Sequence, residues 1–334
     1  MYGVESMLGG ERPLRLRLGV SPKVPAGVLI PQRIAGSEAI CGGVEYRVLC
    51  VSTHADLPLS SLIALPAAID IVTDQGQLRS ICGLVTQASA GDSDGALASY
   101  QLVLTDAFAI MEKRCNTRVF RRLTDIEIVK TLLDEWIRSN TVMAHAFQYA
   151  FADFFEAQTY PQREFVMQHN ESDAAFVRRL LRRSGVAWFF RAEGKTNAHA
   201  EPAHTLVLFN HADGLRKNMA DTVRYHADRA TEERDTLTSW NEVRKLQAGK
   251  VTRHSWNEEH PRAGIDHDAL CQLGMLAMQQ HDYESHCFHA EGSVRDLCPG
   301  EYFTLAEHPD IDALPAAARD FVVTSLHVAA QNNL

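Results

Sequence analysis

The chain is 334 residues long, 46% hydrophobic and 22% charged, so it holds enough apolar material for two or three soluble domains. Its formal net charge of −9 disfavours generic nucleic-acid binding, no apolar run approaches the roughly 20 residues of a membrane-spanning helix, and residues 1–20 lack the pattern of a signal peptide. The seven cysteines include no CxxC pair, which favours reduced thiols over a disulfide framework or a zinc ribbon.

The first third of the chain has the pattern of an all-strand region. Alternating apolar and polar residues predict strands at 14–18, 46–51, 69–72, 81–85 and 100–104. Turns are predicted between them, at Gly36-Ser37, Gly42-Gly43, 74–76 and 91–95, and 57–65 is expected to be a short helix or an irregular crossing. Strands at this spacing predict an antiparallel barrel or sandwich.

A helix start follows at Thr124-Asp125-Ile126-Glu127, which matches the capping box. In that motif the threonine hydroxyl and the glutamate carboxylate each satisfy a backbone N–H that the helix leaves without a partner. The next apolar residues recur at three- and four-residue spacing and predict one buried stripe. We interpret Trp136 within that stripe as a packing residue.

The stretch 160–191 predicts a strand, a helix and a second strand. Polar residues at 170–173 are typical of a helix start, and Gly185 suits the left-handed residue that ends a helix. Four arginines between 178 and 183 lie where the helix dipole favours cations, and we interpret them as a solvated helix face, with a basic patch as the alternative. The apolar run 186–190 predicts a buried strand.

After residue 213 the pattern returns to strands, at 236–243, 249–256, 286–290, 302–305 and 321–328, with one helix at 267–281. The sequence therefore predicts a mainly β fold with an α/β insertion. We divide it into a first β-barrel domain at 1–111, an α/β middle domain at 112–213 and a second β-barrel domain with one helix at 214–334. A second exposed turn is expected at 193–202.

Little in the sequence has the pattern of a catalytic or cofactor site. The motifs HExxH, GxSxG, GxxxxGK[ST] and a strand-linked GxGxxG are missing from the printed sequence. His281, His286 and His289 have suitable chemistry for a metal, but on one strand His286 and His289 face opposite sides. Glu171 and Asp173 are explained by the electrostatics and capping of a helix start. We predict no catalytic, cofactor or metal residues, and therefore no enzyme.

Several segments together resemble the VgrG spike proteins of type VI secretion systems. The residues that carry the resemblance are 168–173, Phe176, 179–181, Gly185 and the aromatic pair 189–190. Segments 108–120, 204–208, 291–293, 299–305 and 322–327 resemble other parts of that family in the same order. The chain departs from the family at His169, Arg121 and 182–184, where Tyr, Gln and an acidic run are usual, and this leaves open which partner that face contacts.

The resemblance implies a phage tail-hub-like base with two antiparallel β-barrel domains and an α/β middle region. Three copies would form a ring of pseudo-sixfold symmetry on a hexameric Hcp tube, in contact with baseplate components. In the family, an OB-fold and a β-helical needle follow, a PAAR protein forms the tip, and effectors travel on the spike. This chain lacks those parts, so we expect it to belong to a longer polypeptide. Such a protein is made in the bacterial cytoplasm and expelled by the apparatus.

Three alternatives remain open from the sequence. The first is the tail hub of a contractile phage or a related particle, which gene neighbours would distinguish from a secretion spike. The second, from another class, is a metal-dependent hydrolase that uses His281, His286 and His289. Stoichiometric zinc in the purified protein would support it. The third is a β module that binds a sugar or a peptide.

Overall fold

The structure is a computed structural model, and it describes residues 12–93, 95–155, 160–192, 201–227, 234–252 and 267–332. The strands are β1 Leu14–Leu18, β2 Ile30–Ala39, β3 Val44–Ser52, β4 Pro66–Val72, β5 Leu78–Ser93, β6 Ala98–Thr105, β7 Cys115–Phe120, β8 Phe147–Phe151, β9 Val166–Ser172, β10 Ala187–Ala192, β11 His204–Phe209, β12 Arg216–Arg224, β13 Leu237–Arg244, β14 His286–Gly292, β15 Glu301–Ala306, β16 Asp320–Val322 and β17 Ser325–Gln331. The helices are α1 Phe108–Met111, α2 Asp125–Ser139, α3 Thr141–Ala146, α4 Asp173–Arg183 and α5 His267–Ser285.

A seven-stranded antiparallel sheet forms the first part of the fold, in the order β1-β4-β5-β6-β3-β2-β17. The sheet curls, and Asn332, just after β17, ties its two edges together. The backbone N–H of Leu14 donates to Asn332 Oδ1 at 3.0 Å, and Asn332 Nδ2 donates to the carbonyl oxygens of Leu14 and Pro31 at 3.0 and 2.7 Å. The last described strand therefore helps to close a half-barrel that begins with the first.

One turn prediction in this sheet is wrong, and another begins too early in the chain. Gly36-Ser37 lies inside β2, where a Cβ on Gly36 would stand 2.3 Å from the Glu45 carbonyl oxygen and 2.5 Å from the Tyr46 ring. The glycine is there because Tyr46 packs against its backbone, and no turn is involved. At 91–95, β5 continues to Ser93 and still pairs with β6, while Asp94 lies outside the described residues.

The strands at 14–18, 46–51, 69–72, 81–85 and 100–104 are confirmed, as are the turns at Gly42-Gly43 and 74–76, and a 3₁₀ turn occupies Leu59–Ser61. Strands β2, β7, β8 and β12 were not predicted. The predicted strand 321–328 is two strands, β16 and β17, which belong to different sheets. Residues 249–252 form no strand, and both the rest of that prediction and most of the turn at 193–202 lie outside the described residues.

The α/β part combines helices α2 and α4 with two small sheets, β10-β11-β8 and β7-β9. Strands β8 and β11 are parallel, a pairing that the sequence did not predict. Leu132, Phe176, Leu180 and Trp188 are fully buried here, in an apolar core that continues without a break into the seven-stranded sheet. Gly185 has φ +67°, as predicted for a residue that ends a helix.

The remaining strands form a three-stranded sheet, β12-β15-β16, and the pair β13-β14. A second, smaller core lies among them, with Val223, Phe303 and Leu305 at its centre. Strand β17 leaves this part and joins the first sheet. The three-part division at 111 and 213 stays a prediction. Among the described residues, no helix is long and apolar enough to cross a membrane.

The capping box at the start of α2 is confirmed and supports a first prediction. The Glu127 N–H donates to Thr124 Oγ1 at 3.1 Å, and the Thr124 N–H donates to Glu127 Oε2 at 2.8 Å. We expect Thr124→Ala to lower the free energy of unfolding by about 1 kcal/mol, because an N–H in the first turn loses its acceptor. Thr124→Ser keeps that acceptor and is the control in urea denaturation. Equal losses in both variants would contradict the prediction.

Candidate functional site

The most connected polar residue in the α/β part is Asp173, the first residue of α4, whose side chain is fully buried. Its Oδ2 accepts hydrogen bonds from Arg114 Nε at 2.6 Å and Trp136 Nε1 at 2.9 Å. Its Oδ1 accepts from Gln168 Nε2 at 2.8 Å, Asn116 Nδ2 at 3.0 Å and Arg118 Nη2 at 3.1 Å. One carboxylate therefore joins α4 to α2, β7 and β9. We call these six residues the Asp173 network.

The Asp173 network holds its carboxylate ionised. Burial alone would raise the pKa of Asp173, but the hydrogen bonds from Gln168, Asn116, Arg114 and Trp136 outweigh that effect and lower the pKa below its ordinary value. Both oxygens are already occupied by protein donors. The geometry suits a structural joint, because a general acid or base needs an oxygen that is open to a substrate.

Two sequence interpretations change at this joint. The cap of α4 is Ser172, whose Oγ accepts from the Ala175 N–H at 3.1 Å, while Asp173 turns inward. Trp136 is a packing residue, as predicted, but it also donates its ring N–H to Asp173, and the Arg114 guanidinium lies 4.2 Å from its ring centroid. The amphipathic pattern located Trp136 without revealing its partner, which lies 37 residues further along the chain.

The arginines of α4 do not form an open basic patch. Arg178 pairs with Glu112 at 2.6 Å, Arg179 with Glu171 at 2.5 Å, and Arg183 lies 3.7 Å from Asp125. The Arg182 guanidinium lies 5.9 Å from the Trp188 ring centroid. Local acids offset most of the charge, so the structure favours the solvated helix face over a nucleic-acid surface.

Of the three histidines that were considered for a metal, His286 and His289 make separate contacts, and His281 Nδ1 is buried without a hydrogen-bond partner among the described residues. His286 Nε2 lies 3.0 Å from Glu242 Oε1, and His289 Nε2 lies 3.7 Å from Cys287 Sγ. Within the described part of the chain, no three His, Cys, Asp or Glu side chains are placed to hold one ion. The structure therefore offers no geometry for the hydrolase alternative there.

A cavity of about 50 Å³ lies where the α/β part meets β12 and β15. Phe189, Arg191, Arg216, Gly300 and Glu301 are among its lining residues. Pockets that hold organic ligands usually enclose about 300 Å³ or more, so this cavity suits a few water molecules better than a substrate.

A second buried charge cluster joins the first sheet to the segment before β15, and the sequence did not reveal it. Arg79 of β5 pairs with Glu38 of β2, which also accepts a hydrogen bond from the Tyr46 hydroxyl at 2.7 Å. Arg79 Nε lies 3.4 Å from Cys298 Sγ. Burial raises the pKa of the Cys298 thiol to about 11, so the thiol is neutral and not nucleophilic.

Two buried titratable groups lie next to Ala107: its hydrogen-bond partner His204 and the preceding residue Asp106. His204 Nε2 accepts from the Ala107 N–H at 3.0 Å, and its ring packs between Phe147 and Phe190. Asp106 accepts from the backbone N–H groups of Val44 and Phe108 at 2.9 Å each. Burial lowers the pKa of His204 to about 4 and raises that of Asp106 to about 6.

These opposite shifts predict opposite pH dependences. The pKa of His204 is depressed in the folded state, so its contribution to stability is complete above pH 6.5 and is lost as pH falls towards 4. The pKa of Asp106 is raised, so its contribution is complete below pH 3.8 and is lost as pH rises through 6. Between pH 4 and 6, a rise in pH therefore increases the free energy of unfolding through His204 and decreases it through Asp106.

We expect a variant at each position to remove that residue's pH dependence from the free energy of unfolding. With pH rising from 4 to 6, His204→Phe should lose stability relative to the wild type, and Asp106→Asn should gain it, each by up to about 1.4 kcal/mol per pH unit. Urea denaturation at pH 4.5, 5.5 and 6.5 measures the difference. A constant offset from the wild type across this range, in both variants, would contradict the assignment.

Comparison with known proteins relates this chain to phage tail baseplate hubs and type VI secretion spike proteins. A sequence model of the family described as phage tail baseplate hub (GPD) matches residues 37–285. The chain is 27% identical over 252 residues to the type VI secretion system spike protein VgrG1b of Pseudomonas aeruginosa, an alignment that covers 74% of this chain and 31% of that protein. The chain spans about a third of the length of the curated relatives it matches.

Solved structures of low sequence identity share the fold. The c3393 protein of Escherichia coli, described as a component of the type VI secretion system, overlaps with a TM-score of 0.68 at 16% identity, over 95% of this chain and 73% of that chain. A tail protein from Neisseria meningitidis MC58 overlaps with a TM-score of 0.59 at 12% identity, over 95% and 92%. The predicted resemblance and the predicted mainly β, tail-hub-like fold class are confirmed.

Proposed function

The chain belongs to the phage tail baseplate hub (GPD) family, and from this membership we propose that it forms the base of a type VI secretion spike. The role is structural. The observation that carries the proposal is the alignment with a type VI secretion spike protein over 74% of the chain. The overlap with the c3393 protein, at 16% identity and a TM-score of 0.68, supports the fold alone.

Two features of the site support a structural role. The Asp173 network uses both carboxylate oxygens for hydrogen bonds within the protein, and the Arg79 cluster joins two parts of the fold through a buried ion pair. Both arrangements fix elements relative to one another. Neither leaves a reactive group open to a substrate.

The alternative of a phage tail hub is less well supported. VgrG1b aligns with the chain at 27% identity, whereas the Neisseria tail protein matches in fold at 12% identity. A likeness at that level shows the fold alone. We therefore favour the secretion spike over the phage tail hub.

In the proposed assembly, three copies form a ring that sits on a hexameric Hcp tube and contacts baseplate components. A longer polypeptide would carry the needle that receives a PAAR tip protein and effectors. The protein would be made and assembled in the bacterial cytoplasm and then expelled by the apparatus. These partners and this route come from the resemblance to the spike family.

Deletion of the gene in the source bacterium tests the proposal. We expect Hcp to disappear from the culture medium and to return when the gene is restored. Intracellular Hcp is the control for expression. Unchanged Hcp export would contradict the proposal, and loss of tail particles in its place would favour the phage alternative.

The purified chain tests the proposed subunit number. We expect light scattering to give three times the 37.2 kDa chain mass, and a larger complex after addition of Hcp hexamers. A trimer that forms only with the longer polypeptide would locate the assembly determinant in the needle.

A further inference from the structure

The sheet β7-β9 has one buried face and one exposed face, and the exposed face is apolar at its centre. Val119 and Met167 are register partners on that face, and Phe165 immediately precedes β9. Their exposed fractions are 49%, 36% and 50%. The solvent side of an antiparallel pair is normally polar, so this cluster is a candidate contact surface. We call Val119, Phe165 and Met167 the β7-β9 outer face.

The structure presents this outer face rigidly. On the opposite side of the same strands, Asn116, Arg118 and Gln168 are bonded to Asp173. The strands cannot rotate to bury Val119 and Met167 without breaking those bonds. A partner would meet a preorganised surface and would lose little affinity to ordering it.

One edge of this sheet is open. Arg179 Nη2, from α4, donates to the Met167 carbonyl oxygen at 3.0 Å, so this backbone group of β9 already has a partner. Strand β7 pairs with β9 alone among the described residues. An edge strand of this kind can pair with an added strand, which is a common way for a sheet to bind an extended peptide.

The positive charge beside the β7-β9 outer face indicates which kind of partner segment would bind there. Arg121 and Arg122 follow β7 directly, and both are exposed. Arg122 lies 3.4 Å from Glu164, but their side chains are 79% and 74% exposed, so the pair is weak. Two arginines beside one glutamate leave the rim positive. A complementary segment combines apolar side chains with carboxylates.

We propose that the β7-β9 outer face docks an extended segment of a partner protein that carries alternating apolar and acidic residues. The segment adds to the open edge of β7, places its apolar side chains on Val119 and Met167, and directs carboxylates to Arg121 and Arg122. This inference rests on the proposed hub role, because it identifies a surface through which the hub would hold another component.

Two fluorescein-labelled ten-residue peptides test the surface on the full chain, one alternating valine with glutamate and the other valine with lysine. We expect the glutamate peptide to bind at least tenfold more tightly, to weaken with added salt, and to slow amide exchange at 115–120. Val119→Glu with Met167→Glu should abolish binding. Arg121→Glu with Arg122→Glu should reverse the preference between the peptides.

Leu49→Glu is the matched control, because Leu49 is also an apolar residue on an exposed strand face, 38% exposed, in a different sheet. It should bind like the wild type. Equal binding of both peptides, or no protection at 115–120, would overturn the inference. So would self-association that Val119→Glu abolishes, because the face would then be a contact between copies. If the docking inference fails in this way but Hcp export still depends on the gene, the proposed function as a secretion spike base is unaffected.

Discussion

Replacing Asp173 by alanine should lower the free energy of unfolding by about 4 kcal/mol, because removing one partner of a buried charged pair usually costs about 3–5 kcal/mol. Arg114, Arg118, Trp136, Gln168 and Asn116 would all lose their shared acceptor. Urea denaturation followed by tryptophan fluorescence measures the change.

Asp173→Asn separates lost charge from lost volume. Asparagine has nearly the same shape, but its NH₂ group would face donors where Oδ1 or Oδ2 now accepts. We expect a loss of about 2–3 kcal/mol, because a buried donor left without its acceptor costs that order of free energy. Its stability should also depend less on pH below about 4, since the lowered pKa of Asp173 adds stability that is lost as pH falls through the folded pKa.

Glu171→Ala is the control for the Asp173 variants. Glu171, in β9, pairs with Arg179 of α4 at the protein surface, and solvated pairs contribute at most about 1 kcal/mol. An Asp173→Asn variant as stable as Glu171→Ala would show that the carboxylate is not what joins α4 to its neighbours.

The parts of this fold that the sequence predicted well are those whose chemistry is local. The cap of α2 needs only Thr124 and Glu127, three residues apart, and β1 and β6 need only their own alternation. The family signature also placed Gln168 and Asp173 together, because both lie within one short stretch.

The parts that the sequence could not predict depend on distant partners. Arg79 meets Glu38 from 41 residues away and Cys298 from 219 residues away, and no spacing rule connects them. Gly36 looked like a turn residue because its register partner, Tyr46, is known only from the pairing of β2 with β3. The position of β17 in the first sheet could not be predicted for the same reason, because its partner β2 is nearly 300 residues earlier in the chain.

The two buried clusters have different positions in the assembly of the fold. The Asp173 network lies within the α/β part and sets how α4 meets α2, β7 and β9. The Arg79 cluster lies between the first sheet and the segment before β15, where the second core begins. Of the two clusters, the second is the one that couples the first sheet to the segment leading into the second core.

The Arg79 cluster provides the last prediction. The side chains of Arg79 and Glu38 are only 5% and 9% exposed. Arg79→Met should lower the free energy of unfolding by about 3–5 kcal/mol, because it leaves the Glu38 carboxylate buried without its cation. The double variant Arg79→Met with Glu38→Leu removes both charges and should recover part of that loss, since an apolar pair of similar volume can replace a buried ion pair. The recovery is incomplete because the buried Tyr46 hydroxyl loses its acceptor, Glu38.

The four proteins of this double-mutant cycle, compared by urea denaturation, should give a coupling energy of at least about 2 kcal/mol. Arg47→Met is the control, because Arg47 and Glu45 are 3.7 Å apart on the exposed side of β3 and their pair is largely solvated. Amide exchange adds the location: Arg79→Met should speed exchange in β15 more than in β7, because Cys298 and the segment before β15 contact the Arg79 cluster directly. Additive losses, or equal effects on β15 and β7, would show that this ion pair does not couple the two cores.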